Sequence, residues 1–166
     1  IVFWTKNPAA MLPGLDRLGD YKYYFQFTIT GYGRDIEPNL PDKQEHIIRT
    51  FRQLSERLGR ARVIWRYDPV LLNERYTINY HIRAFEQIAH SLQRYTDKAV
   101  ISFIDSYTKI KQNMRAHKIR ELNEAEMLHL AGAMAEVAAS CRLQLETCAE
   151  HIDLSSVGIG HGSCID

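Results

Sequence analysis

Apolar runs short enough to be strands alternate along this chain with stretches whose apolar residues recur every third or fourth position. This alternation limits the fold more than any other feature. Ile1–Thr5 reads as a strand and Pro8–Leu18 as a short helix that Gly19 can end. From Tyr23 to Thr30, Phe25, Phe27 and Ile29 share one face, while Tyr24, Gln26, Thr28 and Thr30 share the other; Gly31-Tyr32-Gly33 then turns the chain. Asp42 with Glu45 makes a capping-box pattern ahead of Ile47, Phe51, Leu54 and Leu58, and Gly59 supplies the stop. A third strand is expected over Arg62–Tyr67, followed by a helix capped by Thr77 with the stripe Ile78, Ile82, Phe85, Ile88 and Leu92. Val100–Ile104 reads as a fourth strand. The longer, more polar stretch Ser106–Leu122 predicts an extra helix. A second capping box, Asn123 with Glu126, opens the stripe Met127, Leu130, Met134, Val137 and Cys141. Leu143–Cys148 is the fifth strand, and the glycine- and serine-rich tail Ser155–Ser163 reads as a loop.

Elements of these lengths in strict alternation imply an α/β protein with parallel strands joined by right-handed crossovers. Two architectures fit: part of an eight-stranded TIM-type barrel, or an open doubly wound sheet. The phosphate fingerprint G-x-G-x-x-G follows none of the strands, and the strand faces mix polar with apolar residues, so a partial barrel is the preferred reading. The 166 residues, 45% of them apolar, suffice for one α/β domain over 1–166. A net charge of +1 offers no global field for nucleic acid or an anionic membrane, and no apolar run is long enough to span a bilayer. Three cysteines and no secretory signal pattern predict a cytoplasmic protein. Both ends read as cut from a longer protein, the central part of which this chain would be.

Candidate chemistry sits where the strands stop. Arg66 and Asp68 in RVIWRYDP are two residues apart, hence on one strand face, at the tip of an apolar run where charges must be paired or used. The pattern recurs with Lys6 and Asn7, Thr28 and Thr30, Asp105, and Cys148 with Glu150. In α/β folds, ligands bind at these carboxyl ends. Arg66 has the planar fork that suits an anionic group. Asp68 or Asp105 could move a proton or orient Arg66, and Lys6 with Asn7 would complete a pocket for a small polar or anionic substrate. The structural alternatives are an Arg66–Asp68 pair, a turn or cap at Asn7 before Pro8, and Asp105 as an N-cap. Trp4, Trp65 and Phe103 are expected in packing roles, and Cys141 as a buried, inert thiol on its helical stripe. Cys148–His151 and His161–Cys164 form C-x-x-H and H-x-x-C pairs, the spacing of a four-ligand zinc site, which makes zinc a candidate ligand. The basic run Lys109, Lys111, Arg115, Lys118 and Arg120 suits an exposed helix face, with phosphate or nucleic-acid binding as the lesser alternative.

The phrases FWTKNP, YYFQFTITGYG, VIWRYDPV, VISFID, CAEHIDL and CID, in this order over nearly the whole chain, resemble the bacterial and archaeal family DUF1848, a domain of unknown function. Members of that family are longer at both ends. They typically begin with a segment like SASRRTDIP and finish with C-x-x-x-C-x-x-C, similar to the cluster motif of radical S-adenosylmethionine enzymes. The resemblance implies an iron–sulfur cluster in the full-length protein, with ligands outside this chain. It also implies Lys6, Asn7, Arg66, Asp68, Asp105, Cys148 and Glu150 as motif positions. It brings no established reaction.

Overall fold

The computed structural model describes residues 1–105, 111–148 and 152–162. Six strands form one parallel sheet in the order of the chain: β1 (Val2–Thr5), β2 (Tyr24–Thr28), β3 (Val63–Val70), β4 (Lys98–Phe103), β5 (Gln144–Cys148) and β6 (Gly160–Gly162). Four α-helices lie between them: α1 (Ile48–Leu58), α2 (Ile78–Leu92), α3 (Lys111–Ala116) and α4 (Glu124–Ser140). The expected alternation of parallel strands and helices is therefore present. A doubly wound sheet reverses its strand order at a switch point. Here the order runs from β1 to β6 without reversal, as in an arc of a barrel. Among the described residues β1 and β6 remain the two edges.

The two faces of the sheet have different jobs. Phe25, Phe27 and Ile29 join Val63, Trp65, Tyr67, Ala99, Ile101, Phe103 and Leu145 in one buried cluster with the helix stripes that include Phe51, Leu54, Phe85, Leu92, Leu130 and Met134. Alternate residues point the other way by strand geometry. There Gln26, Thr28, Arg66 and Asp68 share a polar face with a small apolar patch of Ile64, Val100 and Cys148, against which Tyr24 packs. Trp65 settles as expected: it is fully buried, stacks on Phe85, and its indole N–H donates to the Ile29 carbonyl at 2.9 Å.

Helix starts follow their caps. Asp42 accepts from the Glu45 N–H (2.8 Å) and Thr77 from the Tyr80 N–H (3.2 Å); at Asn123 both halves of the capping box form with Glu126. The helix over Ala9–Leu18 is a 3-10 helix, consistent with Pro8, Pro13 and Gly14 disfavouring α geometry. β3 continues past Tyr67 to Val70. Its register with β4 shifts between these residues, around Pro69, which has no N–H for the ladder.

The tail needs correction, because Gly160–Gly162 is not a loop but the sixth strand, paired with β5. Gly-His-Gly has no intrinsic strand preference, so partner geometry decides. A side chain at Gly162 would come within 3.2 Å of both the Glu146 Cβ and the Thr147 carbonyl oxygen. Glycine is what lets this strand close on β5. No described helix is long and apolar enough to cross a membrane.

Candidate functional site at the carboxyl ends of β1–β3

Arg66 is buried, with 2% of its surface exposed, and three strands hold it. From β3, Asp68 Oδ2 accepts from its Nε at 2.8 Å and its Nη2 at 2.6 Å. From β2, Gln26 Oε1 accepts from Nη1. From β1, the Trp4 indole lies with its centroid 4.2 Å from the guanidinium carbon, a cation–π contact. Thr28 adds a longer bond to Asp68 Oδ1 at 3.4 Å. A buried cation with these partners is a fixed part of the face, since desolvation makes an unpaired guanidinium there very costly.

A second cluster stands at the ends of β1 and β2. The Glu37 carboxylate, from the segment after β2, is buried and accepts from Lys6 Nζ at 2.5 Å, from Lys43 Nζ and from the Thr30 hydroxyl at 2.9 Å. Burial alone would raise the Glu37 carboxyl pKa; the hydrogen bonds from Lys43 and Lys6 outweigh that and hold it below the ordinary value. Burial lowers Lys43, and Glu37 offsets this only in part. Lys43 also donates to the Thr30 carbonyl at 2.9 Å and to the Tyr32 carbonyl, so it fastens the segment after β2. Lys6 differs: its side chain is 47% exposed, and Glu37 is its one hydrogen-bond partner among the described residues. Two ammonium groups facing one carboxylate leave an excess positive charge. A cleft of about 230 Å³ lined in part by Tyr32, Arg34, Glu37 and Lys43 opens beside it.

Tyrosines and one histidine brace the loops beneath. His81 on α2 is fully buried between the Tyr67 hydroxyl (2.8 Å from Nδ1) and the Leu71 carbonyl (2.8 Å from Nε2). A carbonyl only accepts, so Nε2 carries the proton and Tyr67 donates to Nδ1. The ring is therefore neutral, and burial pushes its pKa down to about 4. Tyr32 donates to the Pro69 carbonyl (2.7 Å) and accepts from the Leu71 N–H (2.9 Å); Tyr80 donates to the Gly31 carbonyl (2.6 Å). Tyr76 donates to Asp35 at 2.5 Å and accepts from the Gly33 N–H. Together these bonds tie the loop after β2 to the loop after β3.

The structure thus brings Arg66, Asp68 and Thr28 into one contact set, and Lys6 and Thr30 into another. Asn7 is exposed; it accepts from the Ala9 N–H (3.2 Å) and donates its own N–H to Thr5 Oγ1 (3.1 Å), a local turn. Asp105 is exposed just beyond β4, away from any hydrogen bond among the described residues. Cys148 ends β5, buried and disulfide-bonded, and the exposed His161 has its Nδ1 3.4 Å from Thr147 Oγ1. Glu150, His151 and Cys164 lie outside the described residues, as does Lys109. Elsewhere in the basic run, Lys118 pairs with Glu74 and Arg120 with Glu126. Cys141 is buried as expected, with its sulfur 3.6 Å from His90 Nδ1.

Sequence reasoning missed Glu37, Lys43 and Gln26, and it placed Trp4 in packing although half of its surface is exposed. Gln26 had a signal, since it alternates onto one face with Thr28. Glu37 had none, because a loop position follows no periodicity.

Fold and site together define an α/β protein with a sequentially ordered parallel sheet and its polar groups gathered at strand carboxyl ends. The chain belongs to the family described as Domain of unknown function (DUF1848), whose profile matches residues 1–166. No curated protein and no solved structure matches it.

Proposed function

We propose that this domain is the substrate-holding part of an α/β enzyme that takes a small anionic substrate at the carboxyl ends of β1 and β2. One observation carries the reading: Lys6 and Lys43 converge on the single buried carboxylate of Glu37, leaving Lys6 half exposed with donors to spare. Glu37 and Lys43 position the Lys6 ammonium group. The Arg66–Asp68 pair, rather than gripping the substrate itself, holds the adjacent face rigid and supplies its polarity. Preorganised charge in a partly dry site is the usual means of binding and polarising an anionic reactant.

Titrating the chain with inorganic phosphate by calorimetry tests this reading. Binding should weaken at least ten-fold in Lys6→Ala; binding indifferent to Lys6, or no binding, would overturn it.

The iron–sulfur cluster implied for the full-length protein remains part of the proposal, its ligands belonging to segments outside 1–166. Among the described residues there is no group of three or more His, Cys, Asp or Glu able to hold a metal ion. Iron and sulfide analysis of the anaerobically purified full-length protein checks it: stoichiometric iron is expected, and its absence removes the cluster.

A further inference from the structure

Trp4 is the anomaly of the polar face. It belongs to an edge strand and is 51% exposed, whereas the chain's other tryptophan is fully buried. It is nevertheless not a loose surface residue. Neighbouring strands are about 4.8 Å apart, so an indole from β1 that touches Arg66 on β3 reaches across β2 and lies along the sheet. Arg66 cannot move to follow it, because Asp68 and Gln26 hold its guanidinium. The indole is therefore set on a rigid cationic base while half of its surface stays open. Lys6 follows two residues later, in the bend just past β1 and within about 7 Å of Trp4 along the chain, with its ammonium group held by Glu37.

We infer that Trp4 and Lys6 form one recognition unit for a planar conjugated ring joined through a short linker, such as a pentose, to an anionic group. The ring stacks on the open side of Trp4 and the anion meets Lys6. This rests on the anion-binding reading above and adds the substrate class to it. Stacking on an aromatic side chain is tolerant of ring identity, because every such ring presents a π face, so the unit defines a shape and charge class rather than one compound. A platform fixed before the ligand arrives loses little entropy on binding.

The test compares uridine 5′-monophosphate with ribose 5-phosphate, which keeps sugar and phosphate but has no ring. Equilibrium dialysis on wild type should show the ring-bearing compound about ten-fold tighter or better. In Trp4→Ala the ratio of the two affinities should fall to about one, and in Trp4→Phe, which keeps a ring, it should stay well above one. A wild-type ratio near one, or a ratio that survives Trp4→Ala, overturns the inference. Lys6→Ala separates the two claims: it should weaken both compounds together and leave their ratio unchanged. If neither compound responds to Lys6, the anion-binding reading falls while the ratio still reports on Trp4.

Discussion

At the scale of single residues the decisive fact is that Arg66 is fully engaged. Arg66→Met together with Asp68→Ala should lose much less stability than Asp68→Ala alone. The single change strands a buried guanidinium and should cost about 3 kcal/mol or more, whereas removing both charges leaves no buried unpaired charge and takes away only the hydrogen bond that Gln26 accepts from Arg66. Urea denaturation of Asp68→Ala, Arg66→Met and the double variant gives the coupling; equal losses in Asp68→Ala and the double variant would show that the pair is not what Arg66 depends on. His81 sets a different expectation. Its folded pKa, about 4, lies below the unfolded value of 6.5, so the unfolded chain binds the proton first as the pH falls. The stability that neutral His81 permits is full above pH 6.5 and drains toward pH 4, by roughly 3 kcal/mol in all. Glu37, whose pKa is lowered, adds its own loss only below its ordinary value of 4.5. The slope between pH 6 and 5 therefore reports His81. His81→Phe should flatten that slope, while costing about 1–3 kcal/mol at pH 7 by leaving the Tyr67 hydroxyl and Leu71 carbonyl unpaired. An unchanged slope in the variant would contradict the assignment.

At the scale of elements, what the sequence discloses depends on whether the determinants are local. Thr77, Asn123 and Gly59 act on backbone groups within four residues, and the helices they bound begin and end where expected. The alternation in β2 shows both faces because the pleat is a local property. Non-local determinants escape. β6 exists because β5 accepts it, and β3 runs past Pro69 because a register shift spares the missing N–H. The site divides likewise. Arg66, Asp68, Lys6, Thr28 and Thr30 stood out as polar groups at strand ends, whereas Glu37 is recognisable only once the chain after β2 has folded back onto Lys6 and Lys43. The Gly162→Ala variant tests the element most hidden from sequence. The added methyl group would crowd Glu146, whose carboxylate pairs with Lys98 at 3.0 Å, and so should loosen β6 from β5. Hydrogen exchange should quicken at the β6 amides while β2 and β3 stay protected; unchanged exchange at β6 would mean the strand does not need its glycine. Asn123→Ala should cost about 1 kcal/mol through loss of the α4 cap, measured by thermal unfolding.

At the scale of the whole molecule, a sheet whose strands follow chain order with the helix stripes on one face leaves the other face for chemistry. Parallel strands then deliver every carboxyl end to the same rim. Polar groups from β1, β2 and β3 meet there, and the tyrosine–histidine network under the rim links the loops that follow β2 and β3. The opposite rim also carries cations: Lys22 and Arg62 line a separate cavity of about 480 Å³ with Ile1 and Tyr24. An anion could in principle be drawn to either end, so the location of binding is more telling than binding itself. The most direct measurement is an amide NMR titration of the chain with inorganic phosphate. The account predicts saturable shifts that move together at Lys6, Thr30, Glu37 and Lys43. Saturable shifts centred on Ile1, Lys22 and Arg62 instead, or no saturable shift anywhere on the chain, would contradict it.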